Sequence, residues 1–307
     1  MNILVVGTGA VGGFLGTQLH LAGREVTFLA RPDSAATLRD NGLRLIDHAG
    51  TEHVVAPAVT TARGIDRQWD IIVLAVKGQA LQSVIADLAP AVGPATVIVP
   101  TLNGMTHMRT LAEWFGADHL LGGVCFLATE QRMDRTIVQL TPAASLTVGE
   151  LDQRVDRIDS IANSLDHAGY TLSVSETISH DMWEKWFLLA TAGALNCLLD
   201  ADAGSAVAVP AGFATARGLI DEAKRVCAAA GFEPRSAALA RAFDLLTTRE
   251  SRFTTSMYRD FRAGRAVEHE TIVGDLIDEG HRHGIDVPLF EAAYARLCTY
   301  SHALAGK

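Results

Sequence analysis

The chain has 307 residues, a net charge of −9 and a hydrophobic fraction of 49%, and these values exclude several classes of protein. At roughly 150 residues per domain, the length predicts two domains rather than one small module. An acidic chain lacks the broad positive surface that binds nucleic acid or an anionic membrane, so we expect neither partner. A chain this apolar can bury a large core, which excludes intrinsic disorder.

The four cysteines are far apart in the sequence, and no CxxC or Cys/His spacing joins them: Cys125, Cys197, Cys227 and Cys298. We therefore expect no metal site and no disulfide framework. The first residues lack the basic region of a signal peptide, and no apolar run reaches the ~18 residues of a membrane span. These features predict a cytoplasmic protein.

Short apolar runs alternate with helical stretches through the first 174 residues. The predicted strands are Ile3–Val6, Val26–Leu29, Leu43–Ile46, Val54–Val59, Ile71–Val76, Val97–Val99, Leu121–Leu127, Ile137–Leu140, Leu146–Val148 and Thr171–Val174. The predicted helices are Val11–Ala22, Ser34–Asn41, Leu81–Leu88 and one near Arg154–His167. Strands that alternate with helices predict a parallel sheet with right-handed crossovers.

From about Ser175 the pattern becomes helical, with few strand signals. The predicted helices are Ile178–Leu199, Ala211–Ala230, Ala237–Leu246, Thr271–His283 and Phe290–His302. The fold class is therefore α/β, with a Rossmann-type dinucleotide-binding domain over residues 1–174 and an all-helical domain over residues 175–307 that we expect to bind substrate and carry the catalytic groups.

A glycine-rich loop gives the sharpest local signal: Gly7-Thr8-Gly9-Ala10-Val11-Gly12 follows the first strand and opens the first helix. In a dinucleotide site, the first glycine makes the tight turn, the second admits the pyrophosphate, and the third lets the helix pack on the strand. The helix N-terminus then offers unpaired N–H groups to the phosphates. The order of strand, loop and helix predicts dinucleotide binding by all six residues of the loop.

The residue that ends the second strand distinguishes the two nicotinamide dinucleotides. An NAD site has an acidic residue here for the ribose hydroxyl, whereas this segment ends in Arg31. A guanidinium can hold a 2′-phosphate through two charge-assisted bonds of ~1.5–3 kcal/mol each, which favours NADP(H). The alternative is a solvated Arg31, with Asp33 then favouring NAD.

Two polar residues follow later strands of the predicted parallel sheet. Lys77 follows the strand Ile71–Val76, and Asn103 follows Val97–Val99. Since open α/β sheets bind ligands at the carboxyl ends of their strands, both residues are candidates for contacts with cofactor or substrate. The alternatives are a solvated lysine and an ordinary Asn-Gly turn.

Together these motifs resemble the ketopantoate reductase (2-dehydropantoate 2-reductase) family, in order and over nearly the whole chain. The resemblance is carried by the glycine loop, Arg31, Val76-Lys77, Asn103-Gly104-Met105, Trp183-Glu184-Lys185, and Ser256-Met257 through Glu268. The resemblance implies a Rossmann domain followed by a helical domain. It also implies reduction of 2-dehydropantoate to D-pantoate by NADPH, a step of pantothenate biosynthesis.

The resemblance also assigns roles to individual residues. Lys185 matches the catalytic lysine, which would protonate the alkoxide oxygen that hydride transfer leaves on the substrate. Glu268 matches a glutamate that supports this lysine, and Ser256 matches a serine that binds the substrate carboxylate. Asn103 matches an asparagine near cofactor and substrate, and Lys77 matches a lysine at the cofactor.

The chain departs from the family pattern on the helix that carries Lys185. The family has substrate-binding asparagines one and two turns after the lysine, where this chain has Leu189 and Gly193. Asn196 returns to the same helical face and is a candidate for a substrate contact. A more apolar or bulkier 2-oxo acid would suit Leu189 better.

Three hypotheses follow. The first is that the protein reduces ketopantoate. The second is that it is an NADP-dependent reductase or dehydrogenase of another branched or bulkier 2-oxo or 2-hydroxy acid. The third is that it is a non-catalytic NADP(H)-binding sensor. The sequence is compatible with a monomer or a homodimer, and it leaves the reaction direction in the cell open.

Overall fold

The computed structural model describes residues 1–151 and 157–306. The chain divides into two compact units. The first contains Met1–Leu102 and His107–Ser179, and the second contains Asn103–Thr106 and the chain from His180 onwards. The short segment Asn103–Thr106 thus belongs to the second unit, although the first unit surrounds it in sequence.

In its described residues, the first unit contains ten strands and the helices between them. The strands are β1 (Asn2–Val6), β2 (Glu25–Leu29), β3 (Leu43–Ile46), β4 (Glu52–Val55), β5 (Ala58–Thr60), β6 (Ile71–Leu74), β7 (Val97–Pro100), β8 (Leu121–Gln131), β9 (Ile137–Glu150) and β10 (Thr171–Val174). The helices are α1 (Ala10–Leu21), α2 (Pro32–Asn41), α3 (Leu81–Leu88), α4 (Thr106–Phe115) and α5 (Ile158–Leu165).

Five strands form a parallel sheet in the order β5-β2-β1-β6-β7. Side chains of β1 alternate between two cores, since successive residues of a strand point to opposite faces. Ile3 and Val5 pack in the core that contains Phe14 of α1, whereas Leu4 and Val6 pack in the core that contains Ile85 of α3. Helices thus cover both faces of the sheet, which confirms the predicted α/β fold.

A second sheet, which the sequence pattern does not predict, has the order β10-β9-β3-β4, with β8 paired to β9. The segments Ile137–Leu140 and Leu146–Val148, predicted as two strands, are one strand, because β8 pairs with β9 along most of its length. The predicted strand Val54–Val59 is instead divided between β4 and β5. Pro57 separates the two, since proline has no N–H to donate to a sheet.

Among its described residues the second unit has helices joined by loops and turns and no strand, which confirms the predicted all-helical C-terminal part. Its elements are α6 (Ile178–Leu199), α7 (Ala203–Ala208), α8 (Gly212–Ala229), α9 (Ser236–Thr247), α10 (Ser256–Arg262), a π-helical turn (Glu270–Gly274), α11 (Asp275–Arg282) and α12 (Pro288–Ala305). The helix predicted over Thr271–His283 is present as a continuous helical segment, but its first turn is π-helical and only Asp275–Arg282 is an α-helix. The sequence pattern also misses α7 and α10, which are too short for a periodic signal.

The helix predicted near Arg154–His167 is present as α5, and the part of that prediction before residue 157 lies outside the described residues. Within the described part of the chain, no helix is both long enough and apolar enough to cross a lipid bilayer.

Candidate functional site

The glycine loop between β1 and α1 has two glycines that the fold requires and one that it does not. Gly7 has a φ of +104°, and a Cβ there would lie 2.7 Å from the carbonyl oxygen of Ala75. A Cβ on Gly12 would overlap the carbonyl oxygen of Gly7. In contrast, a Cβ on Gly9 would meet no heavy atom within 4 Å. The open space beside Gly9 fits the close approach of a ligand to the backbone.

The start of α1 is suited to an anionic ligand. Gly9 is the N-cap residue, no side chain caps the helix, and no acidic residue lies in its first turn. The N-terminal end of the helix dipole is therefore positive and uncompensated by the protein. The loop is held from its other side by Gln131, whose Nε2 donates to the carbonyl oxygen of Thr8 at 2.8 Å.

Arg31 and Lys77 follow the two strands that flank β1. Arg31 lies two residues after β2 and is exposed at the start of α2, with Asp33 in the first turn of the same helix. Lys77 lies three residues after β6, and it is also exposed. Since the carboxyl ends of parallel strands meet at one edge, the structure brings the glycine loop, Arg31 and Lys77 to the same edge of the sheet. The strand order also reverses there, and such a point is where open α/β sheets bind ligands.

Lys185 lies on α6 and is only 6% exposed. Its neighbours in the chain belong to an aromatic cluster, in which Trp183 stacks on Phe232 with ring centroids 5.0 Å apart and lies 5.1 Å from the ring of Trp186. Lysine is rarely buried to this extent, because its ammonium is costly to remove from water. The burial of Lys185 is therefore a feature that a solvated helix lysine would not have.

The π-helical turn Glu270–Gly274 joins α6 to the segment that carries Glu268. Trp186, the residue after Lys185, donates its indole N–H to the carbonyl oxygen of Ile272 at 2.9 Å. The N–H of Ile272 in turn donates to the carbonyl oxygen of Glu268 at 3.1 Å. Turns of this type occur often at functional sites. Lys185 and Glu268 are thus connected to one another through Ile272.

The loop that carries Asn103 packs on the same turn. Gly104 has a φ of +85°, and a Cβ there would overlap the carbonyl oxygen of Thr271. Only glycine therefore fits both the backbone angle and the close contact. The structure places three predicted site residues, Asn103, Lys185 and Glu268, on segments that meet at the π-helical turn.

Ser256 and its neighbour Thr255 have different tasks. The hydroxyl of Thr255 is buried and caps α10, because it accepts the N–H of Tyr258 at 3.2 Å. Ser256, the first residue of α10, is exposed. Ser256 therefore remains the candidate for a substrate contact.

Asn196, predicted as a substrate ligand, has a different environment in the structure. Its side chain is fully buried, and its amide nitrogen donates to the carbonyl oxygens of Ala201 at 2.9 Å and Phe253 at 3.4 Å. Its amide oxygen accepts the N–H of Thr255 at 3.1 Å. Because the amide is used on both sides to hold the backbone, we remove Asn196 from the candidate substrate site.

The helical face that follows Lys185 is apolar. A Cβ on Gly193 would lie 2.5 Å from the terminal methyl of Met257, which is itself buried. The methionine therefore fills the space that a side chain at position 193 would take. Leu189, one turn nearer to Lys185, is half-buried. Only the folded chain shows the contact of Met257 with Gly193 and the bond from Trp186 to Ile272, since these residues lie far apart in the sequence.

The first turns of α6 are anchored by an ion-pair cluster. Arg235 donates its backbone N–H and its Nε to Glu184, both at 2.8 Å, and it also pairs with Asp181. Burial alone would raise the pKa of Glu184, but the bonds from Arg235 outweigh it and keep the pKa below its usual range. This cluster fixes the start of the helix that carries Lys185.

Comparison with known proteins identifies relatives over the whole chain. Residues 3–153 match the family described as ketopantoate reductase PanE/ApbA, and residues 177–300 match the C-terminal part of the same family. The chain is 30% identical to the uncharacterized oxidoreductase YkpB of Bacillus subtilis, over 98% of this chain and 99% of that protein. It is 27% identical to 2-dehydropantoate 2-reductase of Halobacterium salinarum, over 94% of this chain and 95% of that protein.

A solved structure of D-mandelate dehydrogenase with NADH and anilino(oxo)acetate has the same fold, with a TM-score of 0.88 over 99% of this chain and 100% of that one. The two sequences are 19% identical, so the likeness concerns the fold.

Proposed function

Because the chain belongs to the ketopantoate reductase PanE/ApbA family, we propose that it is an NADPH-dependent reductase of a 2-oxo acid. The first candidate substrate is 2-dehydropantoate, which would be reduced to D-pantoate in pantothenate biosynthesis. The observation that carries the proposal is the π-helical turn, which gathers the segments of Asn103, Lys185 and Glu268.

In the proposed reaction, NADPH, when bound, would supply the hydride that adds to the carbonyl carbon of the substrate. The carbonyl oxygen gains negative charge, and Lys185 donates a proton to it, so that the product is a 2-hydroxy acid and the lysine recovers its proton from solvent. A positioned general acid of this kind contributes ~10²–10⁴-fold to the rate. Glu268 supports the ammonium of Lys185, while Ser256 and Asn103 bind the substrate.

The cofactor would be held by residues of the first unit. The six residues Gly7–Gly12 and the start of α1 fit a pyrophosphate, since the space beside Gly9 is open and the helix end is positive. Exposed Arg31 would bind the 2′-phosphate of NADPH, and Lys77 would approach the cofactor from the loop after β6. The resemblance assigns Asn103 to both ligands, so it would contact cofactor as well as substrate.

A second candidate substrate is a bulkier or more apolar 2-oxo acid, or the corresponding 2-hydroxy acid. The specific observation in its favour is the apolar face formed by Leu189, Gly193 and Met257. A polar substrate hydroxyl would find no polar side chain at these three positions, and a site loses much affinity when a buried hydroxyl is unpaired.

One experiment separates these candidates. The purified protein is mixed with NADPH or NADH and a panel of 2-oxo acids, and absorbance of the reduced nicotinamide is followed. The first candidate predicts the highest kcat/KM for 2-dehydropantoate with NADPH, and the second predicts it for an aryl or long-chain 2-oxo acid. Binding of NADPH without turnover of any acid would contradict both and support a non-catalytic NADP(H)-binding sensor.

We propose that residues 1–174 form the cofactor-binding domain and that residues 175–307 form the domain that carries the catalytic and substrate-binding groups. We also propose that the protein acts in the cytoplasm as a monomer or homodimer.

A further inference from the structure

Three side chains of different chemistry meet beside the π-helical turn of the second unit. They are His269 and Glu270, at the start of the turn, and Cys298, in the middle of α12. The imidazole nitrogen, a carboxylate oxygen and the thiol sulfur all lie within 4.8 Å of one another. None of these residues has a role in the proposed reduction.

His269 directs one ring nitrogen into this cluster. Its side chain is buried, and its Nδ1 lies 3.3 Å from the carbonyl oxygen of Val267, which can only accept. Nδ1 therefore carries the hydrogen, and in the neutral imidazole Nε2 carries a lone pair. That nitrogen faces Oε1 of Glu270 at 3.2 Å. Two lone pairs in this arrangement repel each other unless a positive charge, either a proton or a metal ion, lies between them.

Glu270 is oriented by a neighbour outside the cluster. The hydroxyl of Tyr294 donates to Oε2 of Glu270 at 2.5 Å. This leaves Oε1 turned towards His269. In metal sites, a ligating histidine typically donates its other ring N–H to a carbonyl group or a carboxylate, and a ligating carboxylate is held by hydrogen bonds. His269 and Glu270 have these two features.

The identities of the donor atoms select the ion. A thiolate and an imidazole favour borderline-soft divalent cations such as Zn²⁺ over Mg²⁺ or Ca²⁺, and three protein ligands leave a fourth position for water. Bonds of about 2.0–2.3 Å in a tetrahedral site require ligand separations of roughly 3.3–3.8 Å. Closing the cluster therefore needs a movement of about 1 Å, which a side-chain rotation of half-buried Cys298 can supply.

We propose that His269, Glu270 and Cys298 form a binding site for a Zn²⁺-class divalent cation. Nε2, Oε1 and Sγ are the ligands, the thiol releases its proton to solvent when it binds, and a water molecule completes the tetrahedron. Since Cys298 lies on α12 and the other two ligands begin the π-helical turn, the ion would link these two elements and stabilise the second unit.

The test uses the whole protein, stripped of metal with a chelator and then desalted. Titration calorimetry with Zn²⁺ is expected to show one site, and Zn²⁺ is expected to raise the unfolding temperature. With Co²⁺ as a spectroscopic probe, a thiolate-to-cobalt absorption band is expected. This band would report on Cys298, because Cys125, Cys197 and Cys227 are buried. Mg²⁺ is expected to have no effect.

Variants identify the ligands. Cys298→Ser is expected to weaken Zn²⁺ binding at least tenfold and to abolish the cobalt band, and Glu270→Gln is expected to weaken binding as well. The matched control is His281→Gln, because His281 pairs with Glu291 at 3.0 Å on the surface and should leave binding unchanged.

Two results would overturn the proposal: wild-type protein that binds Zn²⁺ no more tightly than Cys298→Ser, or a cobalt complex without the thiolate band. A proton on His269 would then explain its approach to Glu270. Both variants are first compared with wild type by circular dichroism without metal, so that a folding defect is distinguished from a lost ligand. Neither readout requires catalytic activity, so the result does not depend on the proposed reduction.

Discussion

At the scale of single residues, the proposed chemistry depends on a buried lysine and an exposed arginine. Lys185 is buried on α6, whereas Arg31 is exposed at the edge of the parallel sheet. The two environments match the proposed tasks. A proton donor works best where water is excluded, and a phosphate-binding guanidinium must be reachable by its ligand.

We predict that Lys185→Ala lowers kcat by ~10²-fold or more, because the variant lacks the general acid. The cofactor residues are unchanged, so the Kd for NADPH, measured by nicotinamide fluorescence, should stay within about twofold of wild type. The control is Lys224→Ala, which removes a surface lysine that pairs with Glu233 at 3.2 Å. Unchanged turnover in Lys185→Ala would remove this lysine from the mechanism.

We predict that Arg31→Ala raises the KM for NADPH about 10–100-fold and leaves the KM for NADH nearly unchanged. The lost bonds to the 2′-phosphate are worth ~1.5–3 kcal/mol each, and NADH has no such phosphate. Initial rates with both cofactors measure the change, and Arg63→Ala, in a 3₁₀ turn of the same unit, is the control. An equal effect on both cofactors would contradict the assignment.

At the scale of elements, a loop and a turn determine where the candidate groups lie. The loop between β1 and α1 combines two glycines that the fold needs with one that leaves space open. The π-helical turn offers adjacent backbone groups to α6 and to the loop of Gly104. The turn contributes backbone groups to both contacts, and Trp186 of α6 contributes its side chain.

We predict that Gly9→Ala weakens NADPH binding about tenfold or more, ~1.4 kcal/mol, while the free energy of unfolding changes little. The new methyl group meets no protein atom, but it occupies the space where the pyrophosphate would approach. Gly12→Ala is the contrasting variant, since its methyl group overlaps the backbone of Gly7 and should lower stability. Calorimetry for binding and urea unfolding for stability distinguish the two effects. Tight NADPH binding by Gly9→Ala would contradict the proposed cofactor loop.

We predict that Trp186→Phe lowers kcat about tenfold or more and destabilises the protein by ~1–3 kcal/mol. The change removes the indole donor and leaves the carbonyl oxygen of Ile272 buried without it. Trp183→Phe, on the same helix, is the matched control, because the ring of Trp183 stacks on Phe232. Steady-state kinetics and urea unfolding measure the two effects. If both variants lose activity equally, the bond to Ile272 has no special role.

At the scale of the whole molecule, the net charge of −9 excludes broad attraction to polyanions but permits small anionic ligands. Positive groups are concentrated at the candidate cofactor site, because Arg31, Lys77 and the start of α1 lie at one edge of the parallel sheet of the first unit. Carboxylates elsewhere have structural tasks. Buried Glu222 of α8, for example, accepts the N–H groups of Leu289 and Phe290 at 3.1 Å each and so caps α12.

Glu222 makes global stability depend on pH. Burial raises its pKa above the usual value, and this effect outweighs the opposing bonds from Leu289 and Phe290. The folded state therefore binds more protons than the unfolded state between the two pKa values. It follows that this residue's contribution to the free energy of unfolding is full below the unfolded pKa and is lost as the pH rises through the folded pKa.

We predict that Glu222→Gln removes this dependence, which for one proton has a slope of at most about 1.4 kcal/mol per pH unit. Urea unfolding at several pH values above ~4.3, the ordinary pKa of glutamate, measures the slope. Asp221→Asn, an exposed neighbour on the same helix, is the control and should keep the wild-type slope. An identical slope in Glu222→Gln and wild type would show that other groups dominate this range.

The sequence by itself determined the α/β and helical halves, the glycine loop and the candidates Arg31, Lys77 and Asn103, whereas Lys185 and Glu268 became candidates through the resemblance to the ketopantoate reductase family. The first group of features is local, because hydrophobic period, loop glycines and strand ends can be recognised from residues near one another in the chain.

Only the tertiary structure decided which of these groups share a neighbourhood and what surrounds them. It revealed the second sheet, the bond from Trp186 to Ile272, the contact of Met257 with Gly193, and the structural task of Asn196. It also brought His269 and Glu270 beside Cys298, although the sequence spacing of cysteines and histidines predicts no metal site. The physical reason is that these contacts join residues far apart in the chain, and side-chain packing, which no local pattern encodes, determines them.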